Sequence, residues 1–184
     1  MSGCAGLGSV AEASADLALG GMALRGLWVV RLRLFNQIGP DQSEASVVAA
    51  FTCQIAHAEA GLRPPVLNVG ALDRWPDFID VRDRCAAFTA VLRHAEMLSP
   101  GVAINVASGA PRRRVGEILD PLFVRSPRRC SVDPMPTRLR PTNLQRVSGD
   151  IARARQPLDR TPVFDSDEPP DLILADWRAR VRAA

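Results

Sequence analysis

The sequence contains no tyrosine and no lysine, and all of its 23 basic residues are arginine. Such arginine-only, alanine-rich usage is typical of a GC-rich genome. A phenol or an amine that a reaction requires therefore cannot be supplied by a side chain of these 184 residues. The formal net charge is only +3, so the composition indicates no strong attraction to nucleic acid or to a membrane surface.

Paired cysteines and long apolar runs are also missing. The four cysteines are scattered without a C-x-x-C pair, which excludes zinc-finger spacing and the disulfide framework of a short secreted chain. The chain does not start with a basic segment followed by an apolar core, and no apolar run approaches the roughly 18 residues needed to span a bilayer. These absences predict a soluble cytoplasmic protein with no metal site and no membrane partner.

The segment that organises the chain is a nearly continuous apolar run at residues 27–35, interrupted by two arginines. Such a run is typical of a strand buried in a parallel sheet, and Gly39-Pro40 ends it. Asn36 stands where the strand ends, and ligands of open α/β sheets bind beyond the carboxyl ends of strands. From the spacing alone, an Asx-turn residue leaving the strand is the favoured interpretation of Asn36, and a ligand contact is the alternative.

The rest of the chain alternates between strand and helix patterns, which predicts an α/β fold with a mostly parallel sheet. Ser43 is predicted to cap one helix and Asp80 the next. Further strands are predicted at residues 66–69 and 102–107, and helices at residues 10–25, 43–60, 81–97, 115–123, 150–156 and 171–181.

Arginine is concentrated between residues 112 and 140. Phe123 is the single aromatic residue in this stretch of the sequence, so the interleaved aromatic residues that form base-stacking platforms of a nucleic-acid surface are not evident. The pattern favours a solvated face with one or two arginines that grip phosphate, and it predicts no nucleic-acid partner.

Four segments, in order, resemble motifs of extended short-chain dehydrogenase/reductases that act on nucleotide sugars. Residues 33–42 resemble R-x-F-N-x-x-G-P-x-Q, and residues 69–83 resemble V-G-N-L-D-x-x-R-D-F-x-D-V-R-D. Residues 105–109 resemble N-x-x-S-G, and residues 139–142 resemble the R-P-[ST]-[DE] segment. Within the NAD-dependent epimerase/dehydratase family, the chain is most similar to the GDP-mannose 4,6-dehydratase and GDP-4-keto-6-deoxymannose reductase branch.

The resemblance covers residues 13–182 and corresponds to the C-terminal half of such an enzyme. It implies a partial Rossmann-like parallel sheet joined to a C-terminal substrate-binding region. Residues 1–40 would be the remnant of the nucleotide-binding domain, and residues 41–184 the substrate-binding region. Within that region, residues 80–107 would return to the Rossmann-like sheet.

The resemblance also implies which catalytic groups the chain lacks. The family's Y-x-x-x-K pair falls at Gly8 and Glu12, so neither the acid/base tyrosine nor the lysine that lowers its pKa is present. Gly3, Gly6 and Gly8 have neither the spacing nor the preceding strand of a dinucleotide loop. NAD(P) is the cofactor of the resembled family, but we expect this chain alone to bind no cofactor and to contain no catalytic residue.

By resemblance, the ligand is a nucleotide sugar of the GDP-hexose type. Asn36 would lie near the sugar or diphosphate, Arg140 would bind the diphosphate through a forked contact, and Thr142 would lie near the nucleoside. Pro76 replaces an arginine of the family motif, so we expect weakened binding. The predicted partner is a second copy of the chain or a polypeptide that supplies the missing half. The alternative function is a catalytically inactive, truncated or degenerate fragment, or a binding module.

Overall fold

A computed structural model describes residues 17–22, 24–110, 113–135, 145–158, 161–163 and 168–183. Residues 17–22 and 24 are helical, and a short 3-10 helix spans Ala95–Met97. The described strands are β1 (Arg31–Leu34), β2 (Asn36–Ile38), β3 (Val66–Val69), β4 (Phe78–Asp80), β5 (Ala103–Val106) and β6 (Ser131–Pro134). The described α-helices are α1 (Val47–Glu59), α2 (Val81–Arg93), α3 (Val115–Arg125), α4 (Ala152–Leu158) and α5 (Glu168–Ala183).

The strands form three parallel pairs, β1 with β5, β2 with β4 and β3 with β6. Parallel strands need a crossover between them, and helices or long segments supply it in each case. The predicted α/β class with a mostly parallel sheet is therefore confirmed. The strands predicted at residues 66–69 and 102–107 are present as β3 and β5.

The strand predicted at residues 27–35 is shorter than expected, because only Arg31–Leu34 is a strand. The partner strand explains its late start. Gly101 turns with a φ of 78° and its N–H donates to the carbonyl of Val29, so β5 begins only at Ala103. Residues 27–30 therefore have no described strand beside them, and hydrophobicity alone could not reveal this limit.

A tightly packed hydrophobic cluster surrounds α1, and we call it the α1 core. The start predicted for this helix was wrong. Residue 46 is the N-cap, and Ser43 instead accepts a hydrogen bond from the N–H of Ser46 in the preceding turn. The α1 core joins α1 to β3, α3 and α5, and its buried members are Phe51, Ile55, Leu67, Val69, Val115, Leu119, Leu122 and Leu174.

Smaller clusters lie between the β1–β5 sheet and helices α2 and α4. Leu32 of β1 contributes to two of them, one with Ile104 and Val91 and the other with Val106 and Ala87. The predicted cap of α2 is confirmed, since the carboxylate of Asp80 accepts from the backbone N–H of Arg82 at 2.7 Å. This side of the molecule carries the strand end at which the ligand residue Asn36 was predicted.

Helix ends differ from their predicted positions elsewhere by a few residues. The helix predicted at residues 115–123 is α3, which is two residues longer, and the helix predicted at residues 150–156 is α4, which lies two residues later. The helix predicted at residues 171–181 is α5, which is longer at both ends. Of the helix predicted at residues 10–25, the first part lies outside the described residues. None of the described helices is long and apolar enough to cross a membrane.

Candidate functional site

The carboxyl ends of β1 and β5 lie side by side at the same end of their sheet. Leu34 pairs with Val106, and the N–H of Phe35 donates to the carbonyl of Val106 at 3.0 Å. Asn36 follows directly and is exposed, so it lies at the edge where ligands of open parallel sheets bind. This is where its position in the sequence predicted it.

Asn36 is not the turn residue that its spacing favoured. It begins β2 and pairs with Phe78 of β4, which places its backbone in a second parallel pair. Asn36 is exposed, while its backbone is fixed by the pairing with Phe78. The amide offers both a donor and an acceptor, which suits a sugar hydroxyl or a phosphate oxygen.

Asp77 is a buried carboxylate next to the end of β5. The residue is only 5% exposed, and its two carboxylate oxygens accept from the backbone N–H groups of Ser108 and Gly149, both at 2.9 Å. A side chain at Gly149 would collide with the Ala107 methyl group and the Phe35 ring. Both oxygens are thus committed to main-chain amides, so Asp77 holds three segments together rather than acting as a proton carrier.

Trp75 gathers two arginines beside the Asp77 segment. The guanidinium carbons of Arg114 and Arg146 lie 5.0 and 5.4 Å from the centre of its ring. The Trp75 backbone is held by the Gln145 carbonyl and the Val147 N–H, both at 2.9 Å. Trp75 precedes Phe78, the strand partner of Asn36, by three residues, which span at most about 11 Å. The cluster therefore brings positive charge to the segment that pairs with Asn36.

The Trp75 cluster corrects one sequence argument. The sequence has only Phe123 among these arginines, yet the fold brings Trp75 to Arg114 and Arg146 from a segment about 40 residues before the first. Only a strand-pairing signal could have revealed this, and the isolated bridge between Trp75 and Arg146 is too short to give one. The Trp75 ring is already in contact with two guanidinium groups.

The start of α3 does not provide an open phosphate site. Its first N–H groups are used by the chain itself, Val115 donating to the carbonyl of Arg74 and Gly116 to that of Leu72. The carboxylate of Glu117 accepts from the N–H of Arg114 at 2.9 Å, which adds negative charge there. An anion near this helix would therefore have to be held by arginine side chains.

Two of the three predicted ligand residues lie outside the described residues. These two residues are Arg140 and Thr142. Gly8 and Glu12, at the positions of the family's catalytic pair, also lie outside the described residues. The structure consequently brings Asn36, Asp77, Ser108 and Gly149 together, while the distances from Asn36 to Arg140 and Thr142 stay predictions.

The described residues do not fit a dinucleotide. A pyrophosphate site needs a strand, a glycine-rich turn and a helix whose N–H groups point at the ligand. Two glycines that follow described strands, Gly39 and Gly109, pack closely instead, since a side chain at Gly39 would collide with Val81 and one at Gly109 with Ile151. The described part of the chain thus offers no loop for an NAD(P) pyrophosphate.

One cysteine–histidine pair is inert. The Sγ of Cys53 lies 3.6 Å from Nδ1 of His57 and 3.7 Å from a carboxylate oxygen of Glu44. Burial and the negative charge of Glu44 raise the pKa of Cys53 to about 11, so the thiol stays protonated at neutral pH and is a poor nucleophile. The described residues also contain no group of three or more histidine, cysteine, aspartate or glutamate residues that could hold a metal ion.

Comparison with known proteins gives consistent matches. The sequence profile of the NAD dependent epimerase/dehydratase family matches residues 13–107. The chain is 33% identical over 154 residues to the GDP-6-deoxy-D-mannose reductase of Pseudomonas aeruginosa, an alignment that covers 84% of this chain and 49% of the reductase.

Solved structures agree with these sequence matches. The structure of RMD from Pseudomonas aeruginosa complexed with NADPH superposes with a TM-score of 0.84 at 28% identity, covering 94% of this chain and 56% of that one. A putative epimerase from Burkholderia cenocepacia gives a TM-score of 0.80 at 27% identity, covering 93% and 53%. The chain thus spans about half the length of the relatives that it matches.

Proposed function

Because the chain belongs to the NAD-dependent epimerase/dehydratase family, we propose that it is the sugar-nucleotide-binding portion of an NAD(P)-dependent nucleotide-sugar dehydratase, reductase or epimerase. The proposed ligand class is a GDP-hexose, which the 33% identity to a GDP-6-deoxy-D-mannose reductase supports. The observation that carries the proposal is the exposed position of Asn36 where β1 and β5 end, paired with the residue that follows the buried Asp77.

The proposed roles of the ligand residues follow from their chemistry. Asn36 donates to and accepts from the sugar or diphosphate, and Thr142 lies near the nucleoside. Arg140 pairs two phosphate oxygens through its guanidinium fork. Residues 1–40 are the remnant of the nucleotide-binding domain, and residues 41–184 form the substrate-binding region. The pairing of β5 with β1 supports a return of residues 80–107 to the sheet.

We further propose that the chain alone does not turn over its ligand. It has no tyrosine to exchange a proton and no lysine to lower the pKa of one. The NAD(P) site and the acid/base pair would come from another polypeptide segment. Assay of the purified chain with a GDP-hexose and added NAD(P) tests this, and turnover without a partner would contradict it.

The decisive test of ligand binding is calorimetric titration of GDP and GDP-mannose. A charge-assisted hydrogen bond contributes roughly 1.5–3 kcal/mol, so Arg140→Ala should weaken binding by roughly tenfold to a hundredfold without changing the circular dichroism spectrum. Asn36→Ala removes a neutral hydrogen bond of about 0.5–1.5 kcal/mol and should weaken binding by about two- to tenfold.

Arg138→Ala is the matched control, since it removes the same charge two residues away from Arg140 and outside the R-P-[ST]-[DE] segment. Equal losses in Arg138→Ala and Arg140→Ala would reduce Arg140 to a general positive charge. Undetectable binding to the folded native chain would favour the alternative function, an inactive or degenerate fragment.

A further inference from the structure

A strained residue follows the strand that carries Asn36. Asp41 lies three residues after the end of β2 and has a φ of 65°, the single left-handed backbone among the described residues other than glycine. This conformation is unfavourable for a residue with a side chain, and it persists only where the surrounding structure holds it. Contacts from another element therefore keep residue 41 in place.

Helix α5 supplies these contacts. The backbone N–H of Asp41 donates to Oδ2 of Asp176 at 3.0 Å. Arg180 pairs with the Asp41 carboxylate at 2.9 Å and with Oδ2 of Asp176 at 2.6 Å. The Asp41 side chain is fully exposed, so its ion pair with Arg180 contributes little. The hydrogen bond to Asp176 is the contact that fixes the backbone at residue 41.

The loop that contains Asp41 is also tied back to β2. The side-chain amide of Gln42 donates to the carbonyl of Gln37 at 3.0 Å, and Pro40 restricts the backbone between them. The loop is therefore held by α5 on one side and by β2 on the other. A shift of residue 41 would be passed on to Gln37, the residue next to Asn36.

The same helix packs against the side chains of the β2–β4 pair. Ile173 and Trp177 of α5 lie in one apolar cluster with Ile38 of β2 and Phe78 of β4. Asp176 precedes Trp177 directly, so the polar contact with the loop adjoins the apolar contact with the strands. Helix α5 thus fixes both the strand pair and the loop that follows β2.

We propose that Asp176 is a positioning residue of the ligand site, which holds β2 in the conformation that presents Asn36. The proposal rests on the proposed function, because it takes Asn36 as a ligand residue. Asp176 acts through the N–H of Asp41 and through the loop that returns to Gln37. The family motif around Asn36 ends at residue 42, so the motif itself gives no indication of this contact with α5.

The first test is calorimetric titration of GDP-mannose into the full native chain and its variants. Asp176→Ala removes the acceptor of the Asp41 N–H and should weaken binding by about two- to tenfold, the range expected for Asn36→Ala. Asp176→Asn keeps an acceptor oxygen and should bind within about twofold of the native chain. Asp171→Ala is the matched control, because Asp171 belongs to the same helix but pairs with Arg125, and it should leave the affinity unchanged.

A double variant separates positioning from a general loss of stability. Because Asp176 acts through Asn36, combining Asn36→Ala with Asp176→Ala should weaken binding no more than Asn36→Ala alone, whereas independent effects would multiply. NMR of the ligand-free chain gives a second readout. In Asp176→Ala, the Asp41 amide proton should exchange faster and the side-chain amide resonances of Asn36 should shift, while Asp171→Ala should match the native chain.

The contrary results are distinct. Native affinity in Asp176→Ala, equal losses in Asp176→Ala and Asp171→Ala, or multiplied losses in the double variant would overturn the positioning role. Undetectable binding of GDP-mannose to the folded native chain would reject the proposed function. The NMR readout then still decides the positioning of Asn36, and unchanged Asn36 and Asp41 resonances in Asp176→Ala would refute it.

Discussion

The α1 core and the β1–β5 sheet differ in how completely they bury their apolar residues. In the α1 core, residues from one strand and three helices are almost fully buried, with Phe51 only 2% exposed. Around the β1–β5 sheet, the clusters are smaller, and Leu27, Trp28, Leu34, Phe88 and Leu92 remain substantially exposed. Both regions consist of parallel strands packed against helices, so the architecture does not explain the difference.

The difference shows that one chain can complete one core and leave another open. The α1 core is complete within the described residues, since α1, β3, α3 and α5 supply all of its buried members. The β1–β5 sheet has a wall on the side of α2 and α4 and an edge on which no described strand lies. Burial therefore distinguishes a core that the described residues complete from a sheet in which β1 has one described neighbour.

The largest expected effect would test that contrast directly. Phe51→Ala removes a buried ring from the α1 core and should lower the free energy of unfolding by about 3–5 kcal/mol. Phe88→Ala removes the same number of atoms from an exposed flank and should change it by no more than about 0.5 kcal/mol. Urea denaturation of both variants measures this, and similar losses would mean that the two regions are equally complete.

The next effect concerns the Asp77 carboxylate, which joins the segment after β5 to the segment before α4. Asp77→Ala leaves the N–H groups of Ser108 and Gly149 without their acceptors and should cost about 1–3 kcal/mol of unfolding free energy. Asp77→Asn keeps one acceptor oxygen, so its loss should be smaller. Thermal unfolding followed by circular dichroism gives the order, and a tolerated Asp77→Ala would disprove the structural role of this carboxylate.

The smallest effect is a pH dependence within the α1 region. Hydrogen bonds from Arg178 hold the pKa of Glu59 below its ordinary value, even though burial opposes the shift. Because the folded pKa is lowered, the pair stabilises the protein above about pH 4.3 and loses that effect as the pH falls through the folded pKa.

The comparison that measures it is native protein against Glu59→Gln. The contact is bidentate, at 2.7 and 2.8 Å, but Arg178 is partly exposed, so we expect about 1 kcal/mol at neutral pH. Urea denaturation between pH 3 and pH 7 should show the two unfolding free energies converging at acid pH. A constant difference across that range would mean that the ion pair does not cause it.

Local signals predicted the regular elements and failed where pairing partners decide. β3 and the Asp80 cap were predictable, because a short apolar run and an N-cap carboxylate act through adjacent residues. β2 and β4 were missed, since each has three residues and exists only through the other. Trp75 was missed for the same reason, because its contacts with Arg114 and Arg146 join segments distant in the sequence.

In the candidate site, too, a feature set by neighbouring residues could be predicted and one set by distant residues could not. Asn36 could be located from the strand that precedes it, and the structure places it at the predicted edge. The family motif includes Asp77, but nothing in its neighbourhood indicates that its oxygens bind the amides of Ser108 and Gly149. Such long-range hydrogen bonds leave no local pattern in a single sequence.

The register of β1 with β5 has a consequence for synthesis on the ribosome. Arg31 pairs with Ala103, so β1 emerges roughly 70 residues before the strand that completes its ladder. At about 5–20 residues per second, that interval lasts roughly 4–14 seconds, far longer than the collapse of a small chain. During this time, both edges of the nascent strand lack the β5 ladder, so pairing with other polypeptides competes with the native fold until β5 has been made.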